Sequence, residues 1–153
     1  ERELADLFYQ YGEERLSRKI AKAIVKQRDH QLFTTTGDLV RLLESIRRGP
    51  HAKKTLSRIF QALRIAVNDE LNNLRQALND AGPLLQNGGR MAVISYHSLE
   101  DRIVKQTFKP ASRFEKQWRV LTKKPILPGK EEATSNPRAR SAKLRVAERM
   151  VGS

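Results

Sequence analysis

Apolar residues recur along this chain at two spacings, and the change from one to the other divides it. Over residues 13–27, Leu16, Ile20, Ala23 and Ile24 return every three or four positions while Arg15, Arg18, Lys19, Lys22 and Lys26 fill the rest. That spacing predicts an amphipathic helix with a basic outer face. Thr34-Thr35-Thr36-Gly37-Asp38 supplies hydroxyl caps ahead of Leu39, Val40, Leu42, Leu43 and Ile46, a second helix ended by Gly49-Pro50. Leu56, Phe60, Leu63, Val67, Leu71, Leu74 and Leu78 then keep three-and-four spacing over about six turns. One face of this third helix is expected to be core, and Gly82-Pro83 to stop it. Next come a Gly88-Gly89 turn, a short apolar run over residues 91–96 and a further helix over residues 99–108. The order helix, glycine turn, buried strand, polar edge, helix belongs to an α/β layer rather than to a bundle.

The polar cluster at the end of that strand is the first candidate for chemistry. In open α/β sheets the ligand crevice lies at the carboxyl ends of the strands, so His97, Ser98, Glu100 and Asp101 read as part of an active-site wall. Ser98 can equally cap the following helix, with Glu100 and Asp101 in its first turn where the dipole favours carboxylates. Arg64, Asn68 and Glu70 interrupt the apolar neighbourhood of the long helix, and a solvated edge accounts for them as well as a site does.

Beyond residue 110 the texture changes, with 11 Lys or Arg against 4 Asp or Glu over residues 110–153. Residues 119–122 and 142–147 read as strands, the second alternating apolar with basic side chains, joined by a loop over residues 123–140 rich in Pro, Gly and charge. An antiparallel pair at a sheet edge is expected. Arg138, Arg140, Lys143 and Arg145 would line one rim, with Trp118 and Phe114 offering aromatic surface unless Trp118 is core. Cations beside aromatics suit a clamp for single-stranded RNA.

Composition sharpens this. The 153 residues carry 30 Lys and Arg against 17 Asp and Glu, a formal net charge of +13, which points to a polyanionic partner, nucleic acid first. The bland alternative for the basic helix over residues 13–27 is a solvated face. No apolar run approaches the ~20 residues of a membrane span, and the amino terminus has no signal-peptide pattern. Without cysteine, disulfide frameworks and thiolate metal sites are excluded, which is compatible with a cytoplasmic protein. His97, Ser98 and Asp101 lie too close in sequence to form a hydrolase relay. A metal at His97, Glu100 and Asp101 is not expected without a second histidine-rich stretch, and no Walker loop or Gly-x-Gly-x-x-Gly is present.

Five segments together resemble one family: Tyr11-Gly12-Glu13-Glu14-Arg15, Thr35-Thr36-Gly37, the run from Phe60 to Leu71 (FQALRIAVNDEL), Gly88 to Lys105, and Asn136 to Arg145. They are similar, in family order, to the bacterial MraW methyltransferases that modify the N4 amine of a cytosine in small-subunit ribosomal RNA. Tyr96 stands where that family usually has phenylalanine, and Ala52 where proline is common. The resemblance implies a class I, Rossmann-like, S-adenosylmethionine-dependent fold interrupted by a helical insertion. Residues 1–55 would then be the end of the insertion and residues 56–153 the carboxyl-terminal part of the catalytic domain. The family's glycine-rich cofactor loop matches no position here, so most of the cofactor site is expected outside this chain. The chain opens at Glu1 with neither methionine nor cap, as if entered within a larger protein, and no independent activity is expected of it. His97, Ser98, Glu100 and Asp101, with Asn68 and Glu70 as supports, are the expected catalytic residues. Arg138, Arg140, Lys143 and Arg145 are the expected RNA contacts. The partner is ribosomal RNA or the small subunit, and a homo-oligomer is compatible with the sequence. The alternative is a basic RNA-binding or ribosome-associated module without catalysis.

Overall fold

The computed structural model describes residues 1–109 and 117–151, so the expectation at Phe114 lies outside the described residues. The chain forms two compact units, Glu1–Glu70 and Leu71–Ser153.

The first unit is helical: α1 (Arg2–Gly12), α2 (Ser17–His30), α3 (Thr36–Ile46) and α4 (Ala52–Asn68). Capping rules miss α1, whose N-cap Glu1 makes no side-chain cap bond. Packing explains it instead, because Phe8 enters the core with Ile20, Ile24, Leu43, Ile59 and Ala62, flanked by Leu4, Leu7 and Tyr11. Gly12 lets α1 lie against α4, since a Cβ there would stand 2.7 Å from the Arg58 carbonyl oxygen. The expected cap of α3 is present as a reciprocal box: Asp38 N–H donates to the Thr35 hydroxyl, and the Asp38 carboxylate accepts from Thr35 N–H.

The expected six-turn helix is two helices, α4 and α5 (Glu70–Leu84). The chain breaks at Asp69, which takes the left-handed conformation at φ 49° and caps α4 through its N–H to the Ile65 carbonyl. Aspartate tolerates this region better than most residues, and one such residue leaves the apolar spacing almost undisturbed. The buried stripe of α4 is Thr55, Ile59, Ala62 and Ile65, whereas Val67 is exposed. The helix is therefore rotated relative to the expected face. The first unit takes in the whole of α4, from Ala52 to Asn68. Nor does Gly82-Pro83 stop α5, which runs through to Leu84 and sets Gly82 against the Trp118 indole.

The second unit holds β1 (Arg90–Ser95), α6 (Ser98–Phe108), β2 (Trp118–Val120), α7 (Lys130–Ser135), a 3-10 turn (Pro137–Ser141) and β3 (Lys143–Arg149). The strands form one antiparallel sheet in the order β1-β3-β2. The expected pairing of the two late strands is present, but β3 is central and β2 is an edge. β1 is also an edge among these strands and is half-buried, with Ile94 57% exposed, so the expectation of a fully buried strand fails. The crevice argument rested on parallel strands, and the described residues contain no parallel pair. Gly88, at φ 82°, turns the chain into β1, and its N–H donates to the Arg149 carbonyl. Leu99, Ile103, Val104 and Phe108 are the buried side of α6, which packs on the sheet. Trp118 is buried with its ring 5.3 Å from that of Phe108. It is therefore core, not surface for a base.

Candidate functional site

The strand-to-helix turn at the end of β1 carries the four expected residues, and most of its polar atoms serve the turn. His97, not Ser98, is the N-cap of α6. Its Nδ1 accepts from Glu100 N–H at 3.4 Å, while Glu100 Oε2 accepts from the Tyr96 and His97 N–H groups at 2.8 and 3.3 Å. An imidazole that accepts through Nδ1 carries its proton on Nε2, and Nε2 lies 3.4 Å from Glu100 Oε1. Each side chain thus fixes the rotamer of the other. Ser98 takes the first helical position, half-buried, and Tyr96 stands beside the turn with 54% of its surface exposed.

Asp101 is committed elsewhere. Its Oδ1 and Oδ2 accept from Arg145 Nε and Nη2 at 2.7 and 3.1 Å, and Lys143 Nζ lies 3.9 Å from Oδ2. The Arg145 hydrogen bond, opposed by partial burial and aided by the charges of Arg145, Lys143 and Lys105, holds the Asp101 carboxyl below the usual carboxylate range. Register explains the meeting: Arg145 pairs with Val93 across β1 and β3, on the sheet face that α6 covers.

The four expected RNA contacts therefore separate into two pairs. Arg138 and Arg140 are exposed on the 3-10 turn, which buried Ala139 anchors and the Asn136 side chain caps at Arg138 N–H. Lys143 is half-buried and Arg145 buried, both turned toward Asp101. On the other sheet face, Glu148 sits between Arg90 and Arg119 on the neighbouring strands, and these cations hold its carboxyl below its ordinary value.

In the helical unit, Arg64 forks onto Glu70 at 2.8 and 3.2 Å, and Asn68 Nδ2 donates to Glu70 Oε1 at 3.3 Å. Asn68 and Glu70 thus share one cluster across the α4 break. This unit also contains a polar concavity that periodicity did not single out, built around buried Glu14 with Arg15, Arg47, His51, Lys54 and Arg58. The available signal was charge on both sides of Gly49-Pro50.

Comparison with known proteins agrees with the segments singled out above. "Ribosomal RNA small subunit methyltransferase H" of Rhodopirellula baltica is 50% identical over 153 residues, covering 98% of this chain and 46% of that protein. The proteins of the same name from Rippkaea orientalis and Synechocystis sp. are 52% and 50% identical, over 95% and 98% of this chain. The chain spans about half the length of these curated relatives. Residues 1–150 match the MraW methylase family, so the chain belongs to that family.

Proposed function

We propose that this chain is the carboxyl-terminal portion of an S-adenosylmethionine-dependent methyltransferase acting on the N4 amine of a cytosine in small-subunit ribosomal RNA. The observation that carries this is near-complete cover of the chain, at about 50% identity, by relatives named for small-subunit rRNA methylation. The helical unit is read as the end of an insertion, and the α/β unit as the last part of a Rossmann-like class I catalytic domain.

The β1–α6 turn does not offer a ribose site for S-adenosylmethionine. A ribose diol needs a carboxylate acceptor, and at the β1–α6 turn Glu100 caps the helix while Asp101 holds Arg145.

What the chain contributes is placement of the base. The exocyclic amine of cytosine has its lone pair drawn into the ring, so a site must hold the base out of its stack, accept from its N–H groups and align it. The turn at His97 and Ser98 offers a rigid wall for that purpose, and the His97–Glu100 box keeps it rigid. Asp101 acts through Arg145 as a positioning residue. Within the helical unit, Asn68 and Glu70 form one cluster with Arg64. Arg138 and Arg140 neutralise phosphates, with Lys143 and Arg145 behind them holding the turn.

The test is calorimetric titration of S-adenosylmethionine into this chain and into a longer protein carrying the amino-terminal half of its relatives. Nucleoside mass spectrometry of rRNA treated with the longer protein reads the product. Binding by the longer protein alone, with methyl on cytosine N4, supports the reading. Binding by the short chain overturns the division of the cofactor site. RNA binding with no cofactor binding by either protein overturns the enzyme and favours a non-catalytic RNA-binding module.

A further inference from the structure

The concavity of the helical unit measures about 300 Å³, at the small end of ligand sites. Its wall carries four permanent cations, Arg15, Arg47, Lys54 and Arg58, with His51, against the single carboxylate of Glu14. α4 begins at this wall, and its first turn has neither an acidic residue nor a side-chain cap. The positive end of the α4 dipole and the side-chain cations thus add in one place, an arrangement that an anion relieves.

Glu14 supplies the second, independent observation. It is 1% exposed, and its Oε1 accepts from Leu16 N–H at 2.9 Å. Its Oε2 is buried and accepts no hydrogen bond, with Arg58 Nη1 the nearby cation at 3.6 Å. A buried carboxylate oxygen without a donor is costly, so this oxygen calls for one. The cavity therefore asks for a ligand with an anionic end for the rim and a hydrogen-bond donor for the floor. Inorganic phosphate carries an anionic end and a P–OH donor, but it leaves most of this volume empty, which a nucleotide fills.

We propose that this cavity seats one nucleotide of a single-stranded RNA, its phosphate against Arg15, Arg47 and Lys54 and a sugar hydroxyl or base amino group donating to Glu14 Oε2. The proposal rests on the reading of an RNA substrate above and adds a contact far along the chain from the β1–α6 turn.

The test is fluorescence anisotropy of a short labelled oligoribonucleotide binding to the intact chain across a salt series. Three variants are compared: Arg47→Ala/Lys54→Ala, Glu14→Gln, and Lys22→Ala/Lys26→Ala, which removes the same charge from the exposed face of α2. Each lost phosphate contact lowers the slope of log K against log salt by ~0.7, so the rim variant, which loses the one phosphate held in the cavity, drops by ~0.7 while the α2 variant keeps the wild-type slope. Glu14→Gln keeps the slope and weakens binding by ~5-fold, because a neutral acceptor replaces a charged one. A ribonucleoside monophosphate competes better than inorganic phosphate. Equal slopes for the rim and α2 variants overturn the site while leaving the RNA substrate standing. Equal competition by inorganic phosphate overturns the nucleotide. Absence of RNA binding by the wild-type chain overturns both this proposal and the reading beneath it.

Discussion

Replacing Asp101 by asparagine separates a structural carboxylate from a chemical one. The side chains of Asp101 and Arg145 are 14% and 8% exposed and joined by two hydrogen bonds, with Lys143 Nζ at 3.9 Å. The amide keeps the shape of the carboxylate but turns an NH2 toward the guanidinium and leaves its charge uncompensated. Breaking a buried pair from one side costs about 3–5 kcal/mol, and the residual exposure here favours the lower end, ~3 kcal/mol. For a chain of this size ~1 kcal/mol moves Tm by about 2–4 °C, so the variant should melt roughly 6–12 °C lower at pH 7. Trp118 is the single tryptophan and packs on Phe108 of α6, so its fluorescence follows the unit that carries the pair. The folded-state carboxyl lies below its unfolded value. Its contribution is therefore present above about pH 4 and lost as pH falls through the lower folded value. The gap between wild type and Asp101→Asn should accordingly narrow in acid. Adding Arg145→Met should recover part of the loss by removing the orphaned charge. An unchanged melting curve at pH 7, or a gap that persists undiminished in strong acid, refutes the reasoning. An unchanged curve with activity lost in the longer enzyme would instead return Asp101 to the chemistry.

Three further outcomes are expected. Gly12→Ala brings a Cβ within 2.7 Å of the Arg58 carbonyl oxygen, which a backbone cannot yield cheaply. It should destabilise the helical unit by about 1–3 kcal/mol in urea unfolding followed by circular dichroism, and wild-type stability would count against the packing of α1 on α4. Asp38 has its carboxyl lowered to about 2 by the backbone N–H groups of Thr35 and Thr34 and by their hydroxyls. The cap should hold above about pH 4 and fade as pH falls through 2, and a carboxyl NMR midpoint near 4 would show that the box is absent in solution. Arg138→Ala/Arg140→Ala should lower the salt slope of RNA binding by ~1.4 at unchanged Tm, whereas Arg145→Ala should lower Tm. The reverse pattern would exchange the surface and interior roles given to these residues.

Local chemistry and spacing were enough to locate most elements. α2, α3, α6 and the pairing of β2 with β3 follow from apolar recurrence, and the start of α3 from its hydroxyl cap, signals that act over three or four residues. Placement of His97, Ser98, Glu100 and Asp101 at a strand-to-helix turn follows for the same reason. What spacing could not decide was rotation and partnership. The buried stripe of α4 is turned from the expected one because α1 packs on it, and α1 itself is held by Phe8 in the core rather than by a cap. The break at Asp69 is a single change of φ, which leaves almost no mark on periodicity. Arg145 reads as one of four similar cations in the sequence. Only its register opposite Val93, beneath α6, makes it the buried partner of Asp101 while Arg138 and Arg140 stay in water. In the same way, only folding buries Glu14, leaving its Oε2 without a hydrogen bond and with Arg58 of α4 as its nearby cation. Burial and long-range pairing set the chemistry of a charged side chain, and both are properties of the folded chain.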